Sequence, residues 1–430
     1  MQEDSFQHPG LSRFINRNFV PILIDKHQQP RINAVFSNAI LAVKGRVGWP
    51  MTIIATPEGV PIYFGLTVHR DDLMLVLKTY YNQWVDNPEA VRAAAQNWLG
   101  DYATYSSKKV NRSVSVDFLP KFKVWVRDHI DPIFGGLKGS QKFPNAYRWS
   151  QLISFFPEYT VYLKQMVDSI LTSPMYDSID GGIHRYSSDK MWLIPHYEKL
   201  LVDQVYFIHL LLSLYDEYRD PIYLDYAQLT IQFVHHHLQT DDGLFMTGLD
   251  AGYVGKEGAY YQVNQRIHAT YSSGLDFIST GKGRGLVFLN NVTNVNSINR
   301  VAYQNIRRSD REFPEQDTFV SDSNNAKLLV VLSRYQRISN DDSYKDSINR
   351  ILSFLLDRPL LSLREALIVY DAFKRVDYTN DLTRIEQSIH NKLTPNFPFF
   401  TAIDYLPGQL VEHSFDDDYD GPQMLYYLMK

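Results

Sequence analysis

The sequence predicts an α+β protein of two domains, a small α/β domain over residues 1–86 and a mainly helical domain over residues 87–430. Three observations predict this fold class. The length of 430 residues exceeds what a single hydrophobic core usually organises. Strand-like and helix-like patterns alternate up to Asp86, whereas almost every later pattern has helical spacing.

The first domain follows from a short series of alternating elements. The apolar run Val20–Asp25 predicts a buried strand, and the spacing of apolar residues over Pro30–Lys44 predicts a helix with one apolar face. Acidic residues at the start of Asp71–Trp84 suit a helix N-terminus. In chain order the predicted helices are Ser12–Phe19, Pro30–Lys44 and Asp71–Trp84, and the predicted strands are Val20–Asp25, Met51–Thr56 and Val60–Phe64.

The second domain is predicted to contain about eleven helices, joined mostly by short connections as in arrays of helical hairpins. One long non-helical segment, Thr240–Asn296, interrupts them and is too apolar for disorder. We therefore expect a helical toroid with a β-rich insertion over its mouth. The predicted helices are Pro88–Tyr105, Val114–His129, Arg148–Phe156, Tyr159–Ser173, Tyr197–Tyr218, Ile222–Gln239, Ser297–Arg308, Ser323–Ile338, Asp342–Leu356, Leu363–Val376 and Asp381–Asn391.

Composition limits the compartment and the partners. The net charge of −5 gives no reason to expect nucleic acid or an anionic membrane as a partner. No apolar run approaches the ~20 residues of a membrane span, and the polar first residues do not resemble a secretory signal, so we expect a cytoplasmic protein. The sequence contains no cysteine, which excludes disulfides, thiolate chemistry and Cys-ligated metal sites within it.

The segment Tyr176–Gln204, called here the 176–204 motif, is the most informative part of the sequence. It combines adjacent glycines, histidines, aromatic rings and charged residues, and then runs into an apolar helix. This mixture is typical of a concave polar site walled by rings, where sugars or other polyhydroxy ligands bind.

Five segments of the sequence resemble a two-domain protein family, that of the spermatogenesis-associated protein 20 relatives. The resemblance implies a thioredoxin-like N-terminal domain and a C-terminal (α/α)6 toroid of the six-hairpin glycosidase type, whose cavity would take a carbohydrate-like ligand. The matching segments are FVPILIDKHQQP (Phe19–Pro30), GWPMTIIATPEGVPIYFG (Gly48–Gly65), GGLKGSQKFP (Gly135–Pro144), GGIHRYSSDKMWLIPHYEKLLVDQ (Gly181–Gln204) and LDAGYVGKEGAYYQV (Leu249–Val263).

The sequence also departs from this family pattern. Relatives carry a Cys-containing motif just before the segment that matches Glu3–Phe6, so we expect a truncated, redox-inactive thioredoxin-like domain that lacks its first strand. Pro50 resembles the thioredoxin cis-proline, which predicts a cis Trp49–Pro50 bond. Where relatives show a Trp-Asn-Gly run, this sequence has Ser323-Asn324-Asn325. The sequence ends earlier than typical relatives, so we expect a shortened or open toroid.

The candidate catalytic residues are His184, His196, Glu198 and Asp189. Imidazoles titrate near pH ~6.5 and suit acid–base chemistry, but both histidines are equally compatible with structural hydrogen bonding. The spacing predicts a helix opened by Pro195, with His196 at its start and Glu198 in its first turn. Asp189 with Asp180 would supply the paired carboxylates of glycoside hydrolysis, or these acids cap and pair with Arg185 or Lys199.

The candidate ligand-binding residues fall in two segments. Arg185 suits a carboxylate or an anionic sugar, or else pairs with Asp189, and the aromatic residues either stack on a sugar or pack in the core. In the insertion, the carboxylates either enter the cavity or serve as turn residues. The set consists of Arg185, Tyr186, Trp192, Lys199, Asp203, Asp250 and Glu257.

Three functions follow from these residues. The first is a carbohydrate-active enzyme, either a glycosidase or a sugar epimerase or isomerase with two histidines as base and acid. The second is a non-catalytic binding or scaffold protein, and the third, a thiol–disulfide oxidoreductase, is excluded by the lack of cysteine. We predict no cofactor and no metal, because the consecutive His235, His236 and His237 diverge on a helix. The predicted partner is a small, sugar-like molecule.

Overall fold

A computed structural model describes residues 8–26, 29–66, 68–110, 118–146, 149, 157–253, 256–271, 275–281, 284–289, 291, 300–310, 312–358 and 363–378. The chain divides into two compact units, one within Met1–Ser113 and the other within Val114–Ala402. The predicted boundary at residues 86 and 87 stays a prediction, but the helix that follows it, Pro88–Val110, packs on elements of the first unit.

The described residues of the first unit form four helices and one two-stranded antiparallel sheet. The helices are α1 (Pro9–Asn18), α2 (Pro30–Lys44), α3 (Arg70–Asp86) and α4 (Pro88–Val110), and the strands are β1 (Met51–Ala55) and β2 (Pro61–Leu66). Leu11, Ile54, Leu73 and Leu77 form one small core, and Ala39, Ile40 and Phe64 form another.

The ends of α2 and the bond before β1 follow from local sequence. Pro30 occupies the first turn of α2, where the missing N–H leaves no bond unmade. The helix ends at Gly45, whose φ of +70° is the left-handed conformation that glycine adopts without strain. The Trp49–Pro50 peptide bond is cis, as predicted.

The predicted buried strand Val20–Asp25 is wrong. These residues form no strand, and the side chains of Val20 and Leu23 are 86% and 96% exposed. An apolar run becomes a strand only when a neighbouring strand receives its backbone hydrogen bonds. Among the described residues of this unit, β1 and β2 pair with each other and with no third strand.

The second unit is mainly helical, and short strand pairs connect its helices. The helices are α5 (Phe118–His129), α6 (Thr160–Leu171), α7 (Leu201–Tyr218), α8 (Pro221–His237), α9 (Gln265–Tyr271), α10 (Arg300–Asp310), α11 (Asp322–Ser339), α12 (Lys345–Asp357) and α13 (Leu363–Arg375). The strands are β3 (Tyr186–Ser187), β4 (Pro195–His196), β5 (Lys199–Leu200), β6 (Gly248–Leu249), β7 (Gly252–Tyr253), β8 (Lys256–Glu257), β9 (Val263–Asn264), β10 (Leu275–Gly281), β11 (Arg284–Leu289) and β12 (Gln316–Asp317). The helices predicted at 148–156 and 381–391 lie outside the described residues.

Helices α7 and α8 form the central hairpin of this core. Arg219, with φ +53°, ends α7, and the Asp220 side chain caps α8 by accepting from the Ile222 N–H. Helix α11 packs against α7, α12 and α13. Phe207, Leu211 and other apolar side chains are fully buried here, and each such burial contributes about 1.5–3 kcal/mol.

The helix predicted to begin at Pro195 begins instead at Leu201. The preceding residues are extended because tertiary partners take their backbone groups. Tyr186 of β3 pairs with His196 of β4, and Lys199 of β5 pairs with Leu249 of β6. His196 and Glu198 therefore do not lie on a helix, whereas Asp203 does lie in the first turn of α7.

Within Thr240–Asn296, the described residues include six strands, β6 to β11. The longest pair, β10 and β11, forms an antiparallel hairpin that β9 extends. Its position over a toroid mouth stays a prediction. Among the helices that the structure describes, none combines the length and apolar character needed to cross a membrane.

The Gly181-Gly182 turn, which lies within the 176–204 motif, packs against α8. Gly181 has φ +84°, and a Cβ atom there would lie 2.6 Å from the Leu229 carbonyl oxygen. Gly243 has nearly the same φ, +81°, but its nearest neighbour to a Cβ is the flexible Arg350 side chain at 3.4 Å.

We expect Gly243→Ala to lower the free energy of unfolding by about 1–2 kcal/mol, through backbone strain alone. Gly181→Ala adds a clash with backbone and is expected to lose a further ~1–3 kcal/mol. Urea unfolding of both variants measures the difference. Equal losses would mean that the contact with Leu229 contributes nothing.

Candidate functional site

The imidazole of His196 lies at the centre of a partly exposed group of polar side chains. This group, called here the His196 cluster, consists of Arg185, Tyr186, His196, Glu198 and Glu257. The β3–β4 pairing places Tyr186 opposite His196, and their rings stack with centroids 4.6 Å apart and planes at 13°. The His196 side chain is 27% exposed, so a solute reaches it.

Two carboxylates flank this imidazole. Glu198 Oε2 lies 3.5 Å from His196 Nδ1, and Glu257 Oε1 lies 3.7 Å from His196 Nε2. Glu198 follows His196 by two residues in extended backbone, whereas Glu257 comes from β8 in the insertion. An imidazole beside carboxylates has the donor and acceptor groups that general acid–base chemistry requires.

Arg185 holds one of these carboxylates in place. Its Nη1 donates to Glu198 Oε2 at 2.7 Å, and its backbone N–H donates to the Glu198 carbonyl at 2.9 Å. The sequence left open whether Arg185 pairs with Asp189 or binds an anion. The structure shows that it pairs with Glu198.

Asp189 organises the loop between β3 and β4. Its carboxylate accepts from the Ser187 hydroxyl at 2.5 Å and from the backbone N–H groups of Met191, Leu193 and Ile194. These bonds lower the pKa of Asp189, although burial opposes them. All its described hydrogen bonds lie within residues 187–194, so the structure does not bring Asp189 to the His196 cluster.

Trp192 is a core residue and not a ligand contact. Its side chain is fully buried, and its indole N–H donates to the Phe134 carbonyl at 2.8 Å. The ammonium group of Lys142 lies 5.3 Å from the centroid of its ring. The prediction that Trp192 stacks on a sugar is therefore wrong, because no face of it is exposed.

Lys199 belongs to the interior as well. Its Nζ donates to Asp177 Oδ2 at 2.7 Å and to the Gly181 carbonyl at 2.8 Å. Arg307 Nη1, from α10, donates to both oxygens of Asp177 and to Asp180 Oδ2 at 2.7 Å. Asp177, Asp180, Lys199 and Arg307 are called here the buried charge cluster.

The charges of this cluster compensate one another. Burial alone would raise the pKa of Asp177, but the positive charges of Arg307 and Lys199 outweigh it and hold that pKa below its usual range. Burial lowers the pKa of Lys199, and Asp177 opposes this shift. The predicted ligand contact of Lys199 is wrong, because its ammonium group is enclosed.

His184 lies beside this cluster, in surroundings unlike those of His196. It is 2% exposed, its Nδ1 lies 3.1 Å from the Tyr197 carbonyl, and its ring meets that of Tyr261 edge-on at 4.7 Å. Burial, assisted by the charge of Lys199, lowers the pKa of His184 to about 3. His184 is therefore a neutral, packed imidazole at physiological pH.

The remaining predicted residues have separate positions. Asp250 is exposed and accepts from the Ala251 N–H at 2.6 Å, as a turn residue does. Asp203 lies in α7. Asn325 is buried, and its side-chain amide bonds both backbone groups of Phe245.

Sequence reasoning missed Asp177 and Arg307 as a pair. Asp177 lies inside the 176–204 motif, but Arg307 is 130 residues away and no local pattern connects the two. Buried arginines pair with carboxylates, but the polar sequence around Arg307, from Gln304 to Asp310, gives no sign that this side chain is buried. Among the described residues, no group of three or more acidic or histidine side chains is arranged to hold a metal ion.

The family resemblance predicted from the sequence is confirmed. Residues 1–101 match the family model Thioredox_DsbH, described as a protein of unknown function, DUF255. The chain is similar to spermatogenesis-associated protein 20 of Mus musculus, with 28% identity over 295 residues, which are 61% of this chain and 36% of that protein. The Homo sapiens protein gives 28% over 292 residues, with the same coverage.

The chain thus spans about a third of the length of the curated relatives it matches. Among solved structures, the chain is similar to cellobiose 2-epimerase from Bacillus thermoamylovorans B4167, with 12% identity and a TM-score of 0.39. The match covers 65% of this chain and 72% of that chain. The helix-rich second unit and the thioredoxin-like match are as predicted. Closure of the helices into an (α/α)6 toroid stays a prediction.

Buried histidines are expected to make the second unit less stable as the pH falls below neutral. Burial lowers the pKa of His184 and His209 to about 3 and that of His235 and His237 to about 4, below the ~6.5 of an unfolded chain. Between these values the unfolded chain binds more protons, so the free energy of unfolding falls as pH falls from about 6.5 towards 4.

We expect His184→Asn to reduce this slope by up to ~1.4 kcal/mol per pH unit, since it removes one titrating group. Urea unfolding between pH 7.5 and 4.5 measures the slope. The exposed, non-titrating Gln232 of α8 provides the control, and Gln232→Asn should leave the slope unchanged. A slope unaltered by His184→Asn would contradict the assignment of His184 as a neutral buried group.

Proposed function

We propose that this protein is redox-inactive and binds a carbohydrate-like, polyhydroxy ligand at the His196 cluster, where His196 transfers protons. One observation carries the proposal: a partly exposed imidazole lies between Glu198 and Glu257, within 4 Å of both. Carboxylates, an imidazole and a guanidinium supply the acceptors and donors that sugar hydroxyls require. The lack of cysteine supports the redox-inactive part.

The reaction chemistry then depends on His196 and its carboxylates. An epimerase mechanism with His184 and His196 as base and acid does not fit, because His184 is buried and neutral. Glu257 takes the place of His184 in this scheme. Its side chain is 59% exposed, and its carboxylate lies beside Nε2 of His196, whereas that of Glu198 lies beside Nδ1. His196 with Glu257 suits an epimerase or isomerase, and Glu198 with Glu257 suits a glycosidase.

The ligand is held by polar contacts and not by aromatic stacking. Tyr186 is stacked on His196, and the ring of Phe143 approaches it at 4.8 Å. Tyr197 is stacked on Tyr261. Because Arg185 is already paired with Glu198, an uncharged sugar fits the cluster better than an anionic one. Since the ring of Tyr186 is stacked on His196, Tyr186 positions the imidazole and does not stack on the ligand.

A non-catalytic scaffold or binding protein is the second candidate. His184, Asp189, Trp192 and Lys199 each have a structural role, so the chemistry of most of the 176–204 motif is explained by folding alone. Under this alternative the ligand binds and leaves unchanged. A cytoplasmic location stays a prediction for either candidate.

The test is a thermal-shift screen of uncharged mono- and disaccharides, with turnover followed by chromatography. Ligand at ten times Kd stabilises the folded state by about 1.4 kcal/mol, or about 2–4 °C in a unit of this size. We expect this shift in wild type, its loss in His196→Ala and its weakening in Glu257→Gln.

Glu217→Gln serves as the matched control, because Glu217 is an exposed glutamate of α7 outside the His196 cluster. It should keep the full shift. Turnover that disappears in His196→Ala identifies the enzyme, and a shift without turnover identifies the binding protein. No shift in wild type at millimolar sugar would contradict the carbohydrate proposal itself.

A further inference from the structure

Several polar atoms next to the buried charge cluster have no hydrogen-bond partner among the described residues. They are Asp180 Oδ1, Arg307 Nε and the hydroxyl of Tyr261. Asp180 is 6% exposed, Arg307 is 3% and Tyr261 is 2%, so bulk water does not reach them. The Tyr260 hydroxyl interacts with the Asp180 side chain, and Tyr260 is 3% exposed.

These atoms belong to residues that contact one another. The guanidinium carbon of Arg307 lies 5.6 Å from the ring centroids of both Tyr260 and Tyr261. Arg307 also donates through Nη1 to the other oxygen of Asp180 at 2.7 Å and through Nη2 to the Tyr261 carbonyl at 3.2 Å. The two tyrosine rings meet edge-on at 5.2 Å. The unpaired atoms therefore belong to one group of contacting side chains in the interior.

Proteins rarely leave buried polar groups unpaired, and a group of them in one place indicates a bound polar molecule. The available atoms define its chemistry. Two hydroxyls and Arg307 Nε donate, and Asp180 Oδ1 accepts, so the bound molecule needs oxygen lone pairs and at least one O–H.

The charge of the region selects against ions. Asp177 and Asp180 balance Lys199 and Arg307 in the described contacts. An added anion would lie beside two carboxylates, and an added cation would lie beside an ammonium and a guanidinium group, in each case without water to screen the repulsion. A neutral hydroxyl meets neither penalty.

We propose that Asp180, Tyr260, Tyr261 and Arg307 form a buried binding site for a neutral, hydroxyl-bearing molecule, either water or a small polyol. The Tyr261 ring, stacked on Tyr197 at 5.7 Å, forms part of its wall. The site is separate from the His196 cluster, and it does not rest on sugar binding there.

Removal of one hydroxyl tests the site through the sign of a stability change. If Tyr261 donates to a bound molecule, Tyr261→Phe loses a hydrogen bond and lowers the midpoint of thermal unfolding by about 2–4 °C. If the hydroxyl is buried without a partner, the same substitution removes an unsatisfied group and leaves the midpoint unchanged or raises it. Tyr260→Phe is expected to behave as Tyr261→Phe does.

Tyr223→Phe is the control for a hydroxyl with a known partner, since Tyr223 donates to Asp168 Oδ1 at 3.0 Å. It should lower the midpoint. Unchanged or raised midpoints in both Tyr260→Phe and Tyr261→Phe, with a lowered midpoint in Tyr223→Phe, overturn the proposal.

Two further measurements identify the molecule. Purified protein is unfolded in guanidinium chloride, and the filtrate is analysed by mass spectrometry: a stoichiometric polyol identifies that ligand, and its absence together with lowered midpoints identifies water. A crystal structure is expected to show density within hydrogen-bonding distance of Asp180 Oδ1 and Arg307 Nε. A well-resolved interior without such density overturns the proposal.

Discussion

The carboxylate of Asp177 is the constraint on which the rest of the second unit's site depends. Its two oxygens accept from Lys199, from Arg307 and from the backbone N–H of Ile179. These donors come from the start of the 176–204 motif, from β5 and from α10. Buried charges are expensive to desolvate, and such an arrangement is stable only when every partner is present. Loss of any one of these partners would therefore destabilise the packing of all three segments.

This constraint reaches the His196 cluster through the backbone. Lys199 also donates to the Gly181 carbonyl, and Arg185 bonds the Glu198 carbonyl through its N–H. The extended residues 195–200 are thus held on one side by the buried charges and on the other by the pairing with β3 and β6. This extended segment then presents His196 and Glu198, two residues apart, with their side chains partly exposed. Preorganisation of this kind is what a binding or catalytic group requires.

The sequence predicted those elements whose signals are local. The helix Pro30–Lys44 matches α2 because a proline, an apolar stripe and a glycine define it without help from elsewhere. Residues 195–200 have helical spacing, yet they are extended because the partners of β4 and β5 lie elsewhere in the chain. The prediction of a strand at Val20–Asp25 is wrong because a strand pattern forms a strand only when a neighbouring strand pairs with it.

The same distinction separates the partly exposed from the buried members of the predicted site residues. The motif was rich in residue types that carry chemistry, but residue type does not determine exposure. His184 and His196 are twelve residues apart in one motif, and one is enclosed by Tyr197 and Tyr261 while the other lies at the surface between carboxylates. Glu257 reaches His196 from the insertion, 61 residues away, a convergence that depends on tertiary structure alone.

Density of polar residues is thus a poor guide to which side chains are exposed in this chain. Lys199 and Trp192 both donate to partners within the fold and are fully buried, so neither side chain is exposed to a ligand from solution. In the His196 cluster Arg185 restrains Glu198 and Tyr186 restrains the imidazole, yet the Glu257 carboxylate remains 59% exposed. An exposed acceptor beside a fixed imidazole leaves bonding capacity unused by the fold. That unused capacity, and not the richness of the motif, is the physical basis for placing ligand chemistry at His196.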